Sequence, residues 1–228
     1  MTQQLNKKFM AVAAAVTLTA TAIVPVASAS GNTDAFTDVP ASYKDAVDYV
    51  VSNNISVGLS ATQYGVNQQI KRVDAAAMIA TAAGLTNQDA LTSGFTDVPA
   101  RAATAVNSLK AAGVVSGKST TTFGAQDNIT RGEVAIMLTK AFDLKAGNKK
   151  NSFTDVSSRY DTAVDALVGN HVTNGINATQ FGTQNQIKRG DFAKFLVAFN
   201  IHPITQMTAM ETVALVDDTT KEQKDRDI

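Results

Sequence analysis

The chain has 228 residues, 44% of them hydrophobic and 18% charged, with Lys+Arg and Asp+Glu both at 20. That balance argues against a nucleic-acid partner or an acidic membrane surface, each of which calls for a basic excess. Cysteine and tryptophan are absent, which excludes thiol catalysis, disulfides and thiolate metal sites.

The first predicted element is a targeting segment. Lys7 and Lys8 precede a run rich in Ala, Val, Leu and Thr, and "ASA" at 27–29 has the small-x-small form of a cleavage site. Residues 1–29 therefore read as a signal peptide, cut between Ala29 and Ser30. A transmembrane anchor fits less well, because the run is short and no stop-transfer charges follow. No later stretch is apolar enough to span a bilayer, so no membrane span is expected after cleavage.

From residue 34 the chain repeats itself. "FTDV" stands at 36–39, 95–98 and 153–156, and the same landmarks follow each copy at the same offsets. Gly58, Gly117 and Gly175 correspond, as do Tyr64-Gly65, Phe123-Gly124 and Phe181-Gly182. Arg72, Arg131 and Arg189 each lie 36 residues after their Phe. The repeats span 34–86, 93–145 and 151–200. Their length varies only in the polar linkers "TNQDALTSG" and "KAGNKKNS".

Within each repeat the apolar spacing predicts two helices. The first begins after "DVP" or "DVS" and ends near Asn54, Gly113 or His171. A Gly-bounded loop follows, with Gly58, Gly117 and Gly175 expected to supply a positive φ. The second helix opens at the Arg motif and carries an i, i+3, i+4, i+7 stripe, clearest as Phe192, Phe195, Leu196 and Phe199. Tyr64, Phe123 and Phe181 are expected to plug the core. One 55-residue hairpin would bury too little apolar surface to be stable alone. Three copies can pool their stripes, and closure around a pseudo-threefold axis is preferred to an open solenoid.

The second helices open on "IKRVD" (70–74), "ITRGE" (129–133) and "IKRGD" (187–191). A base is unwelcome at the partly positive end of a helix dipole. An anion bound there would gain from the free N–H groups, the dipole and the base together. "ITRGE" also reads as a capping box of Thr130 and Glu133. The other two motifs replace the cap by Lys71 and Lys188, which favours a carboxylate site that Arg can grip bidentately. The competing reading pairs each Arg with an acid: Asp74, Glu133 or Asp191, or Asp38, Asp97 or Asp155.

The triple "FTDV" opening, the Gly and aromatic turn, and the closing Arg-acid motif together resemble the S-layer homology (SLH) module over about residues 34–200. The resemblance implies an all-α fold of three helix-loop-helix SLH repeats, closed as a pseudo-threefold trimer around a central helix bundle. It implies grooves between repeats that hold a secondary cell wall polymer, a pyruvylated glycan linked to peptidoglycan. Arg72, Arg131 and Arg189 inherit the family's ligand-binding role by position, with Lys71 and Lys188 beside them.

Asp38, Asp97 and Asp155 then have two readings, as caps of their own first helix or turn or as partners for sugar hydroxyls. Tyr43 and Tyr160 stand where the family carries an aromatic that stacks on sugar or packs. The third repeat position is Ala102, which cannot stack. The grooves around Arg72 and Arg189 are thus expected to dominate.

No enzyme, metal site or cofactor is expected: His171 and His202 are isolated, and there is no phosphate loop. Residues 201–228 read as a β-like, then charged and disordered tail or linker. The expected role is non-catalytic anchoring of an exported surface protein to the Gram-positive cell wall. The alternatives are a lattice-associated protein that contacts S-layer subunits, and the anchor fragment of a larger surface hydrolase.

Overall fold

The computed structural model describes residues 33–147 and 150–198. The expected signal peptide and the C-terminal tail lie outside the described residues. The described chain is helical, with isolated bridges and no strand. After a short 3-10 turn come α1 (Ala41–Ser52), α2 (Arg72–Ala82), α3 (Ala100–Ala111), α4 (Arg131–Ala141) and α5 (Ser158–Gly169). Residues 189–198 are also helical and form the described part of α6.

Helix ends follow the local chemistry. Asn54 (φ 56), Gly113 (φ 70) and His171 (φ 58) sit just past the ends of α1, α3 and α5 in the left-handed region. The residue after each returns its N–H to the last turn: Ile55 to Val50, Val114 to Leu109 and Val172 to Leu167. This is the Schellman arrangement, which satisfies carbonyls the helix leaves open.

The loop glycines correct one expectation. Of Gly58, Gly117 and Gly175, only Gly175 has a positive φ. What the three share is close approach: a Cβ there would lie 2.4–2.5 Å from a ring carbon of Phe36, Phe95 or Phe153. Each of those "FTDV" rings packs on the aromatic of its own turn, Tyr64, Phe123 or Phe181, at centroid distances of 5.6–6.0 Å. Tyr64, Phe123 and Phe181 are fully buried, as core plugs should be.

Of the stripe expected in the third repeat, Phe192, Phe195 and Leu196 are buried and Phe199 lies outside the described residues. Val73, Ala76 and Ala80 of α2 and Ala135 of α4 are buried too. These helices are enclosed on more than one face because they are central. α2 packs on α3 and on α4, and α4 packs on α5. α6 meets α1 through Tyr43 and Asp191. The second helix of each repeat thus lies on the first helix of the next, and the third returns to the first.

The ring closes at three isoleucines. Ile129 N–H donates to Ile70, Ile187 N–H to Ile129, and Ile70 N–H to Ile187, at 3.1–3.2 Å. All three side chains are buried. Pooled burial around this axis is what a lone repeat lacks.

Candidate functional site

Each motif arginine is the first residue of its helix, and the next repeat holds it in place. Arg72 N–H donates to Asp127 and Val73 N–H to Ala125. Arg131 and Gly132 do the same to Asn185 and Thr183, and Arg189 and Gly190 to Gln68 and Val66. By their place at a helix start these N–H groups are open to an anion. In the structure the neighbouring repeat takes the first two of each helix, so an incoming anion would meet the guanidinium instead.

The arginine side chains are buried at these joints, each 7–8% exposed. Arg72 Nη2 donates to the Ser116 carbonyl at 3.1 Å, Nη1 pairs with Glu133 at 3.2 Å, and the guanidinium lies 4.9 Å from the Phe123 ring centroid. Arg189 Nη2 donates to Ser56 Oγ at 2.8 Å and to the Val57 carbonyl at 2.6 Å, over the Tyr64 ring. Arg131 Nε donates to the Phe181 carbonyl at 2.9 Å, with the guanidinium between the rings of Phe181 and Phe195. Nε of Arg72 and of Arg189 is buried without a partner.

The acid-pairing alternative holds for one arginine of the three among the described residues. Arg72 meets Glu133, the acid of the next repeat rather than its own. The corresponding acids are the shorter Asp191 and Asp74. Asp191 accepts from Tyr43 Oη at 2.8 Å, and Asp74 pairs with Arg101 at 2.9 Å. Burial pushes the pKa of Arg72 and Arg131 down; Glu133 and Asp127 oppose this at Arg72, and Asp191 and Asp155 at Arg131. A guanidinium starts so high that both keep their charge.

Two of these arginines line open clefts. The Arg72 cleft, ≈ 350 Å³, runs between the Val114–Lys118 loop and Glu133, Met137 and Lys140, with Arg159 of the third repeat at its side. The Arg189 cleft, ≈ 340 Å³, is its counterpart, between the Ile55–Leu59 loop and Asp74, Met78 and Arg101. Ser56, Ser116, Arg101, Arg159, Lys118 and Lys140 also line these clefts and belong to no motif. They lie outside the shared landmarks, and their one signal is that the repeats disagree there.

The remaining expected site residues lie elsewhere. Asp38 accepts from the N–H groups of Tyr64, Gly65 and Val66 at 2.7–3.1 Å. Asp97 clasps Phe123, Gly124 and Ala125 in the same way, and Asp155 clasps Phe181, Gly182 and Thr183. Each aspartate therefore caps the aromatic-Gly turn, not its own helix. Burial alone would raise these carboxyl pKa values, but the three donors outweigh it and hold them below the ordinary range.

Lys71 and Lys188 donate to Asn128 Oδ1 and Asn67 Oδ1 of the neighbouring repeat and line neither cleft. Lys71 gives its helix no side-chain cap, whereas Thr130 and Glu133 form the expected capping box. Tyr160 is buried against Gly132, and Tyr43 packs on Gly190 under Lys194.

The sequence model of the family described as "S-layer homology domain" matches residues 35–76, 94–135 and 152–193. Among curated proteins, the "Surface-layer 125 kDa protein" of Lysinibacillus sphaericus is 31% identical over 199 residues. That alignment takes in 84% of this chain and 17% of the relative's length. With the family pattern matched three times over more than half its length, the chain belongs to the S-layer homology domain family.

Proposed function

We propose that this chain anchors a surface-layer-type protein to the cell wall by holding an anionic, pyruvylated secondary wall polymer in the clefts between repeats, without catalysis. Family membership supports the cell-surface anchoring role. The observation that carries the finer reading is the motif arginine that lines each of the two open clefts with its guanidinium largely removed from water. A buried cation without a full set of acceptors is costly, and a carboxylate that enters the cleft relieves that cost. Two clefts on one chain would let weak contacts along one polymer sum to firm attachment. Export through residues 1–29 delivers the chain to that polymer.

Co-sedimentation with purified wall sacculi tests the reading. The chain is expected to pellet with untreated sacculi and to stay in solution after hydrofluoric acid has stripped the polymer. Equal pelleting with both would sink it. Replacing Arg72, Arg131 and Arg189 together by Ala is expected to abolish pelleting while helix content by circular dichroism is kept.

A further inference from the structure

The clefts repeat the arginine but not its surroundings. Residues 42, 101 and 159 correspond, and they are Ser, Arg and Arg. Arg101 is neutralised by Asp74. Arg159 is exposed, stacks over the Tyr160 ring at 5.3 Å and meets no carboxylate among the described residues. Residues 59, 118 and 176 also correspond, and they are Leu, Lys and Ile.

The Arg72 cleft thus gathers Arg72, Lys118, Lys140 and Arg159 against one lining carboxylate, Glu133. Glu133 serves Arg72, Asp127 serves Lys118, and Lys140 donates to the Gly113 carbonyl. Arg159 is left with its charge unanswered. The Arg189 cleft differs: its second arginine is paired, and its lip is apolar, with Val57 74% and Leu59 50% exposed.

Resting on the anionic-polymer reading above, we propose that the Arg72 cleft is a dianion site, which takes a glycan segment bearing two negative charges, one at Arg72 and one at Arg159. Like charges facing one cleft repel until something of opposite sign enters, so a dianion gains twice where a monoanion gains once. Arg159 is the specificity-determining residue. It is supplied by the third repeat to a cleft built by the first two.

The test uses the full chain, amide NMR and two probes: inorganic phosphate at about pH 8, above its second ionisation, and acetate. Phosphate is expected to shift the amides of Ser116, Gly117 and Lys118 at a concentration about tenfold below that needed for acetate. Arg159→Gln is expected to erase that preference, and Lys145→Gln, on a distant linker, to leave it intact. Equal response to the two probes at Gly117, or a preference that survives Arg159→Gln, overturns the dianion site. Sacculus pelleting separates the two readings. Pelleting without phosphate preference sinks the dianion site alone, and failure to pellet sinks the anchoring reading.

Discussion

α2 and α4 begin with the same arginine and differ in the residue before it. At α4, Thr130 accepts from the Glu133 N–H while Glu133 Oε2 accepts from the Thr130 N–H. At α2, Lys71 stands in the cap position, makes no cap bond and reaches across to Asn128 of the next repeat. The capped start looks self-contained, yet its Glu133 also pairs with Arg72. The lesson is that the acid of a closing motif belongs to two repeats at once. Glu133 finishes its own helix and also holds the preceding repeat's arginine, whereas the shorter Asp74 and Asp191 bind Arg101 and Tyr43 of other repeats.

The largest expected effect concerns what the two starts share. Each repeat's aspartate clasp has a carboxyl held below its unfolded value of about 3.9. A depressed folded pKa contributes stability that is present above the unfolded value and lost as pH falls through the folded one. Acid titration followed by circular dichroism should therefore show unfolding below about pH 3.9, where all three turns lose their clasps together. Stability that stays flat through that window would remove the clasps as a common element.

Next comes a difference in volume. A Cβ on Gly132 would lie 2.7 Å from Thr183 Cγ2 and 2.9 Å from Tyr160 Cε1. The first repeat places Val73 at the position of Gly132, and the residue that corresponds to Tyr160 in the second repeat is the small Ala102. Gly132→Val should cost about 1–3 kcal/mol through overpacking. Adding Tyr160→Ala should recover part of it in thermal unfolding, and a double variant no better than the single one would refute the pairing.

The cap itself should matter less. Thr130→Ala should cost about 1 kcal/mol, the usual worth of such a cap. Lys71→Ala should be nearly silent in the same denaturant titration, because Lys71 caps nothing. Equal losses would erase the contrast between the two helix starts. Glu133→Asp keeps the charge but shortens the reach to both the Thr130 N–H and the buried Arg72, so it should cost about as much as Thr130→Ala, about 1 kcal/mol. A mutant cycle with Arg72→Gln would report the coupling directly.

The repeat, its two helices and its aromatic plugs were legible because period and landmark spacing record burial. The Thr130–Glu133 box was legible because both partners lie within one turn. What stayed hidden depends on which repeat supplies the partner. Asp38 sits 26 residues from the Tyr64 N–H it binds, a distance at which sequence spacing says nothing about pairing. The motif offered Arg72 its own Asp74 as readily as Glu133, and only the ring chooses. Lys71 and Lys188 looked like cations for a ligand, but their side chains reach neighbouring amides. Arg159 and Arg101 were passed over because they break the repeat, and departure from the pattern is where clefts of one descent come to differ.

The ring of isoleucines also sets an order of events for a growing chain. Arg189 donates to Ser56 across 133 residues, and Ile70 waits for Ile187 in the same joint. Long-range closures form late, since loop entropy must be spent before the contacts return it. Until the third repeat joins them, the first two repeats lack the partners that Arg189 and Ile187 bring to Ser56 and Ile70. The last helix therefore completes the ring: α6 brings Arg189 to a cleft whose other walls the first two repeats supply.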